Sequence, residues 1–212
     1  MEALIGTVPD GWPEVPLHTL CELQAGPSGT SVRVTDRVAA GVPIVSPRNL
    51  RRGRIVGHEA GQIAAEAAEN LNRYRLRAGD ILCTRVGELG LQARATEEHE
   101  DWLFATGLVR LRPVDVTQAG YLAHYVALPT VRDWIDRHAT GTAIPAISVQ
   151  AFRSLPVVLP PLSVQAAIAD ALDTLNEKVE IHDQISRNTA RLRDTLAPLL
   201  MTGAVAANRT RG

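Results

Sequence analysis

The sequence has almost no lysine, little cysteine and no long apolar run. Lys178 is the single lysine among 22 basic residues, which excludes a Walker A phosphate loop anywhere before it. Two cysteines, Cys21 and Cys83, cannot form a disulfide framework, and neither has a partner at zinc-ligand spacing. We therefore expect both to be small packed residues in or beside strands. No membrane span or signal peptide is predicted, so we expect a cytoplasmic protein.

Motifs for cofactor chemistry are also missing. No Gly-x-Gly-x-x-Gly follows a predicted strand and no Asn/Asp-Pro-Pro-aromatic loop occurs, so neither a dinucleotide nor a methyl-donor site is indicated. We expect no cofactor and no metal in this chain. Asp80 and Glu88 are the best candidates for nuclease chemistry, but the lysine usual beside such carboxylates is missing. An enzyme is accordingly the weakest of the functional alternatives.

One stretch, Leu159–Gln165, begins the most regular pattern in the chain. Its two prolines end the preceding element, and Ser163 is predicted as the N-cap of a new helix. A helix over 163–201 would have 39 residues and span roughly 58 Å at about 1.5 Å per residue. A heptad-like seam of apolar or small residues runs along it: Ile168, Leu172, Leu175, Val179, His182, Ile185, Thr189, Leu192, Leu196 and Leu199.

The rest of the chain predicts an α+β fold. Strands are expected over 42–46, 81–86, 103–111 and 157–159, and helices over 60–71, 149–155 and, interrupted near Pro129, over 118–136. This organisation predicts a mixed domain over residues 1–158, a helix over 159–202 and a mobile tail over 203–212.

Several motifs together carry a family resemblance. Pro-Pro-Leu-Ser-Val-Gln at 160–165, followed by a long amphipathic helix, resembles the conserved helical region of type I restriction-modification DNA specificity subunits. That family usually has Glu where Val164 stands. Further matching motifs occur in the same order at 9–12, 15–17, 41–44, 78–82, 141–142 and 155–157, so the likeness covers nearly the whole chain.

The resemblance implies a subunit that selects a DNA site and performs no chemistry. It predicts one target recognition domain and one conserved coiled-coil helix, which is half of a full-length subunit. The implied partners are double-stranded DNA, a DNA adenine methyltransferase that uses S-adenosylmethionine and, when restriction accompanies modification, an ATP-dependent restriction subunit. The alternative is an interaction scaffold in a methylation or antiphage complex that has no sequence readout of its own.

Candidate DNA contacts lie in an arginine-rich region. Residues 33–94 include eleven arginines and six acidic residues, although the net charge of the whole chain is -1. Arginine suits guanine and phosphate, whereas asparagine suits adenine; the competing interpretation is a solvated surface paired with Glu59 or Asp36. The predicted DNA-binding residues are Arg48, Asn49, Arg51, Arg52, Arg54, Thr84, Arg85, Gly141 and Thr142.

The helix predicts a homodimer. Two copies pairing in antiparallel register would rebuild the full-length arrangement, with the polar seam residue His182 near the two-fold axis. The predicted contacts are Ile168, Leu172, Leu175, Val179, His182, Ile185, Leu192 and Leu196. Such a dimer would recognise a symmetric bipartite site, since each domain reads the same sequence on opposite strands.

Overall fold

The computed structural model describes residues 1–28 and 37–203. The chain divides into two compact units, the first comprising Met1–Ala169 and the second beginning at Asp170. Predictions that concern Arg33, Asp36 and the tail beyond Gly203 lie outside the described residues. No helix in these two ranges combines the length and the apolarity needed to cross a membrane.

The first unit is a mixed α+β domain, as the sequence predicts. Its strands are β1 (Glu2–Ala3), β2 (Gly6–Thr7), β3 (Glu14–Pro16), β4 (Cys21–Ala25), β5 (Arg37–Val45), β6 (Leu50–Arg51), β7 (Arg54–Ile55), β8 (Gly61–Ile63), β9 (Ile81–Thr84), β10 (Gln92–Arg94), β11 (Leu103–Phe104), β12 (Leu108–Pro113) and β13 (Pro156–Val158). The helices are α1 (Ala65–Glu69), α2 (Ala119–Val126), α3 (Pro129–Arg137), α4 (Val149–Arg153) and the start of α5 (Leu162–Met201).

A four-stranded sheet of order β10-β9-β12-β4 is central to this unit, and all of its pairings are antiparallel. Its side chains alternate between two hydrophobic cores. Ile81 and Cys83 belong to the core that includes α2 and α3, whereas Leu82 belongs to the core that includes β5 and β11. Because both faces are buried, the first three residues of β9 are all apolar. The sequence therefore predicts a strand but does not show which side chain faces which core.

Both cysteines lie in strands of this sheet, which confirms their predicted structural place. Cys21 and Cys83 are buried free thiols. Burial raises the pKa of the Cys21 thiol to about 12 and also raises the pKa of the Cys83 thiol. Neither sulfur is a reactive thiolate at neutral pH.

The helices confirm most of the predicted pattern and correct one part of it. The expected interruption near Pro129 separates α2 from α3, with Pro129 as the first residue of the second helix. The expected helix over 60–71 is wrong at its start, since Gly61–Ile63 forms a strand that pairs with β5. Pairing at the sheet edge outweighs the high helix propensity of the flanking alanines, and α1 is confined to Ala65–Glu69.

The long helix is confirmed, with a correction at its N-terminus. It comprises 40 residues and begins at Leu162, so Ser163 lies in the first turn and is not the N-cap. The carbonyl of Pro161 accepts hydrogen bonds from the backbone N–H groups of Val164 and Gln165. The Gln165 side chain is buried and its amide donates to the carbonyl of Pro160 at 2.8 Å, which fixes the entry of the chain into the helix.

Candidate nucleic-acid interface

Several loops meet at one end of the central sheet, where β9 ends and β12 begins. Arg85 follows β9, and its backbone N–H donates to the carbonyl of Gly107 at 2.8 Å. A β-carbon at Gly107 would lie 3.2 Å from Pro47 Cγ, so this turn also contacts the segment that carries Arg48. Thr106 Oγ1 donates to the carbonyl of Pro27. Segments that are distant in sequence are thereby joined by direct contacts.

The loop after α3 joins the same end of the sheet. Thr140 and Ala146 exchange two backbone hydrogen bonds of 2.8 Å and close a tight loop over residues 141–145. Gly87 N–H donates to the carbonyl of Pro145, and Ile147 N–H donates to that of Arg85. The predicted pairs Thr84/Arg85 and Gly141/Thr142, which are far apart in sequence, therefore lie on segments that these hydrogen bonds join.

Gly141 and Thr142 are exposed on this loop. Gly141 has a φ of 92°, and a β-carbon there would lie 2.7 Å from the carbonyl oxygen of Ile144. Only glycine fits this backbone. The geometry gives Gly141 a structural reason to be glycine, whether or not DNA approaches it.

An arginine hairpin, formed by residues 50–55, carries three of the predicted DNA contacts. Strands β6 and β7 pair Leu50 with Ile55 and Arg51 with Arg54, which leaves Arg52 and Gly53 as a two-residue turn. Both turn residues have positive φ, 49° at Arg52 and 80° at Gly53, as a type I′ turn requires. The left-handed conformation costs a residue other than glycine about 1–2 kcal/mol.

Both apolar residues at the base of the arginine hairpin are buried, and the three arginines are exposed. The carbonyl of Gly53 accepts a hydrogen bond from Arg94 N–H at 3.2 Å, which attaches the turn to β10. Arg51 lies 3.5 Å from Glu59, so part of the alternative interpretation, a surface pair with Glu59, is realised. Arg48 precedes the hairpin and is also exposed.

Asn49 was predicted to contact DNA, but its side chain is buried, with 1% exposure. Asn49 Oδ1 accepts hydrogen bonds from the backbone N–H and the hydroxyl of Ser46, both at 2.8 Å. Its amide donates to the carbonyl of Val56 at 3.4 Å. Asn49 therefore stabilises the base of the arginine hairpin, and we no longer count it as a candidate for base contacts.

Thr84 is corrected for the same reason. It is fully buried, and its hydroxyl oxygen accepts a hydrogen bond from Leu91 N–H at 3.0 Å. Arg85 is half-buried, and its Nε donates to the carbonyl of Ile147 at 3.3 Å. Because only Nε is used in this hydrogen bond, Arg85 remains a candidate for DNA contact. Thr84 instead stabilises the end of β9 through its hydrogen bond with Leu91.

The carboxylates considered for catalysis have structural partners. Asp80 is 1% exposed and accepts two hydrogen bonds of 2.7 Å from Arg112 and one of 2.8 Å from Arg77 N–H. The hydrogen bond to Asp80 raises the pKa of Arg112. Glu88 is exposed and lies 3.6 Å from Arg132. Asp80 is therefore occupied inside the domain and not accessible to a substrate.

The second unit presents the predicted seam on the surface of α5. Its apolar members are all exposed in the single chain, from 36% at Leu196 to 57% at Leu192. Ile168 is the exception, because it lies in the first unit and packs against the core that includes α2. The seam of accessible residues therefore starts at Leu172.

Sequence inspection missed two features of the interface. The turn at Gly107 and the edge residue Arg94 were not singled out, because their neighbours are set by tertiary pairing. The arginine hairpin had a readable signal, since a glycine at the second position of a two-residue turn is typical of type I′ hairpins. The first turn position is occupied by Arg52, which is not one of the residues typical of that position, so the turn was not predicted.

Solved structures with a similar fold include chains from type I restriction-modification systems. The S subunit from M. genitalium matches over 92% of this chain at a TM-score of 0.63 and 16% identity. A chain from a type I R-M system matches over 94% at a TM-score of 0.64 and 20% identity. The two matches cover 48% and 47% of the solved chains. At this level of identity the matches establish the fold alone.

Sequence comparison establishes the family. The model of the type I restriction modification DNA specificity domain matches residues 9–188, and the chain belongs to this family. It is 26% identical over 169 residues to the EcoKI specificity subunit of Escherichia coli K12, and 20% identical over 195 residues to the EcoBI specificity subunit of Escherichia coli. The matches cover 76% and 91% of this chain but only 36% and 41% of those relatives, and they confirm the predicted resemblance.

Proposed function

We propose that this chain is the non-catalytic DNA sequence-specificity subunit of a type I adenine methyltransferase complex, in a half-length form. The observation that carries the proposal is the arginine hairpin beside a set of joined loops, in a chain of the DNA specificity family. Exposed guanidinium groups on short, well-anchored loops suit both phosphate and guanine. The site contains no group of three metal-binding side chains among the described residues.

The local charge supports DNA as the ligand. Four arginines of this region, Arg48, Arg51, Arg52 and Arg54, are exposed, and Glu59 lies 3.5 Å from Arg51. The net charge of -1 for the whole chain therefore does not describe this surface. Concentrated positive charge steers a polyanion to one place on an otherwise neutral protein.

We propose further that two copies pair through α5 in antiparallel orientation. The seam is symmetric about His182, because its members lie in pairs at three, seven and ten residues on either side. These pairs are Val179 with Ile185, Leu175 with Thr189 and Leu172 with Leu192. An antiparallel partner therefore presents the same pattern to the seam that the seam presents to it, as a two-fold interface requires.

Charge favours the same orientation. Residues 170–181 carry four acidic residues and one lysine, whereas residues 183–194 carry two acidic residues and three arginines. Asp173 and Arg191 lie nine residues from His182 on opposite sides, and Glu177 and Arg187 lie five. Antiparallel pairing brings opposite charges together, while parallel pairing would place the acidic halves side by side.

We also propose the methyltransferase and the restriction subunit as partners of this chain. The adenine methyltransferase would supply S-adenosylmethionine and the catalytic residues, and an ATP-dependent restriction subunit would join when restriction accompanies modification. The proposed role of this chain is to place the methyltransferase at a bipartite DNA site.

Replacing Arg48, Arg51 and Arg52 with alanine should weaken DNA binding and make it less sensitive to salt. Each lost phosphate contact reduces the slope of log affinity against log salt by about 0.9, so the slope should fall by up to about 3. Fluorescence anisotropy across a salt series measures this. A triple variant of exposed arginines on other elements, Arg77, Arg153 and Arg193, removes the same charge and should behave like the unaltered chain.

Unchanged affinity and slope in the first triple variant would remove this surface from the DNA site. Absence of DNA binding by the unaltered chain would instead favour the scaffold alternative, which the net charge of -1 supports. In that case the chain would still bind a methyltransferase.

A further inference from the structure

We propose that Ile144 is a specificity-determining residue that reads a thymine in the major groove through contact with its 5-methyl group. This inference rests on the proposed function, because it requires that the chain recognises DNA. The other candidate contacts of the interface are arginines, Gly141 and Thr142, so Ile144 adds an apolar contact to a polar set.

The exposure of Ile144 provides the first argument. Its side chain is 64% exposed, and the whole loop over residues 141–145 is exposed with it. Single exposed apolar residues are common on protein surfaces, so the position of this residue decides its role. An apolar side chain gains free energy when a partner covers it, and DNA is the partner proposed for this end of the sheet.

The attachment of the loop provides the second argument. Ala146, two residues after Ile144, forms an antiparallel bridge with Val86. Arg85 Nε donates to the carbonyl of Ile147 at 3.3 Å, so its guanidinium group lies against the residues that follow the loop. Ile144 is therefore joined directly to the segment that carries a cationic candidate for DNA contact.

The stiffness of the loop provides the third argument. Thr140 and Ala146 close it with two backbone hydrogen bonds of 2.8 Å. Gly141 packs so closely that a β-carbon there would lie 2.7 Å from the carbonyl oxygen of Ile144. Pro145 restricts the backbone of the residue before it. The side chain of Ile144 is thus presented by a preorganised backbone, which favours base discrimination over nonspecific attraction.

The chemistry of the base edges selects thymine. The 5-methyl group of thymine is the apolar group that base pairs present in the major groove, whereas the minor groove presents polar atoms. The arginine hairpin of the same interface is a two-stranded ribbon, which fits the major groove. The other known use of an apolar side chain on DNA is insertion between base pairs from the minor groove, which bends the duplex.

The test uses the full chain and a DNA site selected from a random library by the unaltered protein. Each thymine of the site is replaced in turn by deoxyuridine, which lacks only the 5-methyl group, and fluorescence anisotropy measures the affinity. At one thymine the unaltered chain should bind about 4-fold more weakly, which corresponds to about 0.8 kcal/mol for one buried methyl-sized group. Ile144→Asn should bind both forms equally, whereas Ile144→Val should keep the difference.

Val116→Asn is the matched control. Val116 is 63% exposed, and it lies beside Gly79, just before β9 begins and away from the loops of the interface. This variant makes the same kind of change on an equally exposed residue and should keep the 4-fold difference. Thermal unfolding should give both asparagine variants a melting temperature close to that of the unaltered chain.

Two results would overturn the inference and leave the proposed function intact. The first is equal binding of the thymine and deoxyuridine forms by the unaltered chain at every position, including the case in which Ile144→Asn abolishes a bend in the DNA. The second is an undiminished deoxyuridine effect in Ile144→Asn, which would assign the methyl contact to another residue. If the unaltered chain selects no sequence at all, the proposed function itself fails.

Discussion

We expect that replacing Leu175 and Leu192 with aspartate converts the proposed dimer into a folded monomer. Both side chains are more than half exposed in the single chain, at 56% and 57%, so the domain itself loses no packing. In the proposed dimer each would be buried against the partner helix, and an unpaired carboxylate there costs several kcal/mol. Four such carboxylates per dimer exceed what the remaining seam contacts can offset.

Analytical ultracentrifugation measures the change in mass, and circular dichroism confirms that the variant remains folded. The matched control places aspartate at Thr174 and Ala190, each adjacent in sequence to a seam residue but on the outer side of the helix. This control adds the same charge and should remain a dimer. A dimer mass in the Leu175/Leu192 variant would show that the copies associate through another surface.

Replacing Asp80 with alanine should destabilise the domain by about 3–5 kcal/mol. Asp80 is 1% exposed and accepts three hydrogen bonds, two from the Arg112 guanidinium and one from Arg77 N–H. Its removal leaves the half-buried guanidinium of Arg112 without its carboxylate partner, although Arg112 Nη2 still donates to the carbonyl of Arg75. The loss is comparable to the whole stability of a marginal domain.

Glu88→Ala is the matched control, because it removes a carboxylate that is 73% exposed and 3.6 Å from its arginine. An exposed pair of this kind contributes about 1 kcal/mol or less. Urea unfolding measures both variants. If Asp80→Ala were as stable as Glu88→Ala, Asp80 would not have the structural role that its contacts indicate.

The features that the sequence predicts well are those that depend on local patterns. The long helix follows from the heptad-like seam, and the break between α2 and α3 follows from Pro129, because proline cannot occupy a helix interior. The strand Ile81–Thr84 follows from the apolar run at 81–83. For the helices the governing interactions lie within a few residues along the chain, whereas the strand is recognisable because burial on both faces requires apolar side chains.

The errors concern side chains whose partners are distant or whose burial the sequence does not reveal. Asn49 and Thr84 have the chemistry to bind DNA, but both are buried and hydrogen-bonded within the domain. Ile168 fits the seam by spacing, yet it packs against the domain core. Periodicity and residue type indicate what a side chain can do, whereas tertiary structure decides which contact it makes.

The most direct test of the proposed function is the pattern of modified adenines in cells that express this chain with its proposed methyltransferase partner. Two identical recognition domains related by a two-fold axis read the same short sequence on opposite strands. We therefore expect an inverted repeat of two half-sites separated by a fixed gap. An asymmetric bipartite motif, or one short continuous motif, would contradict the homodimer.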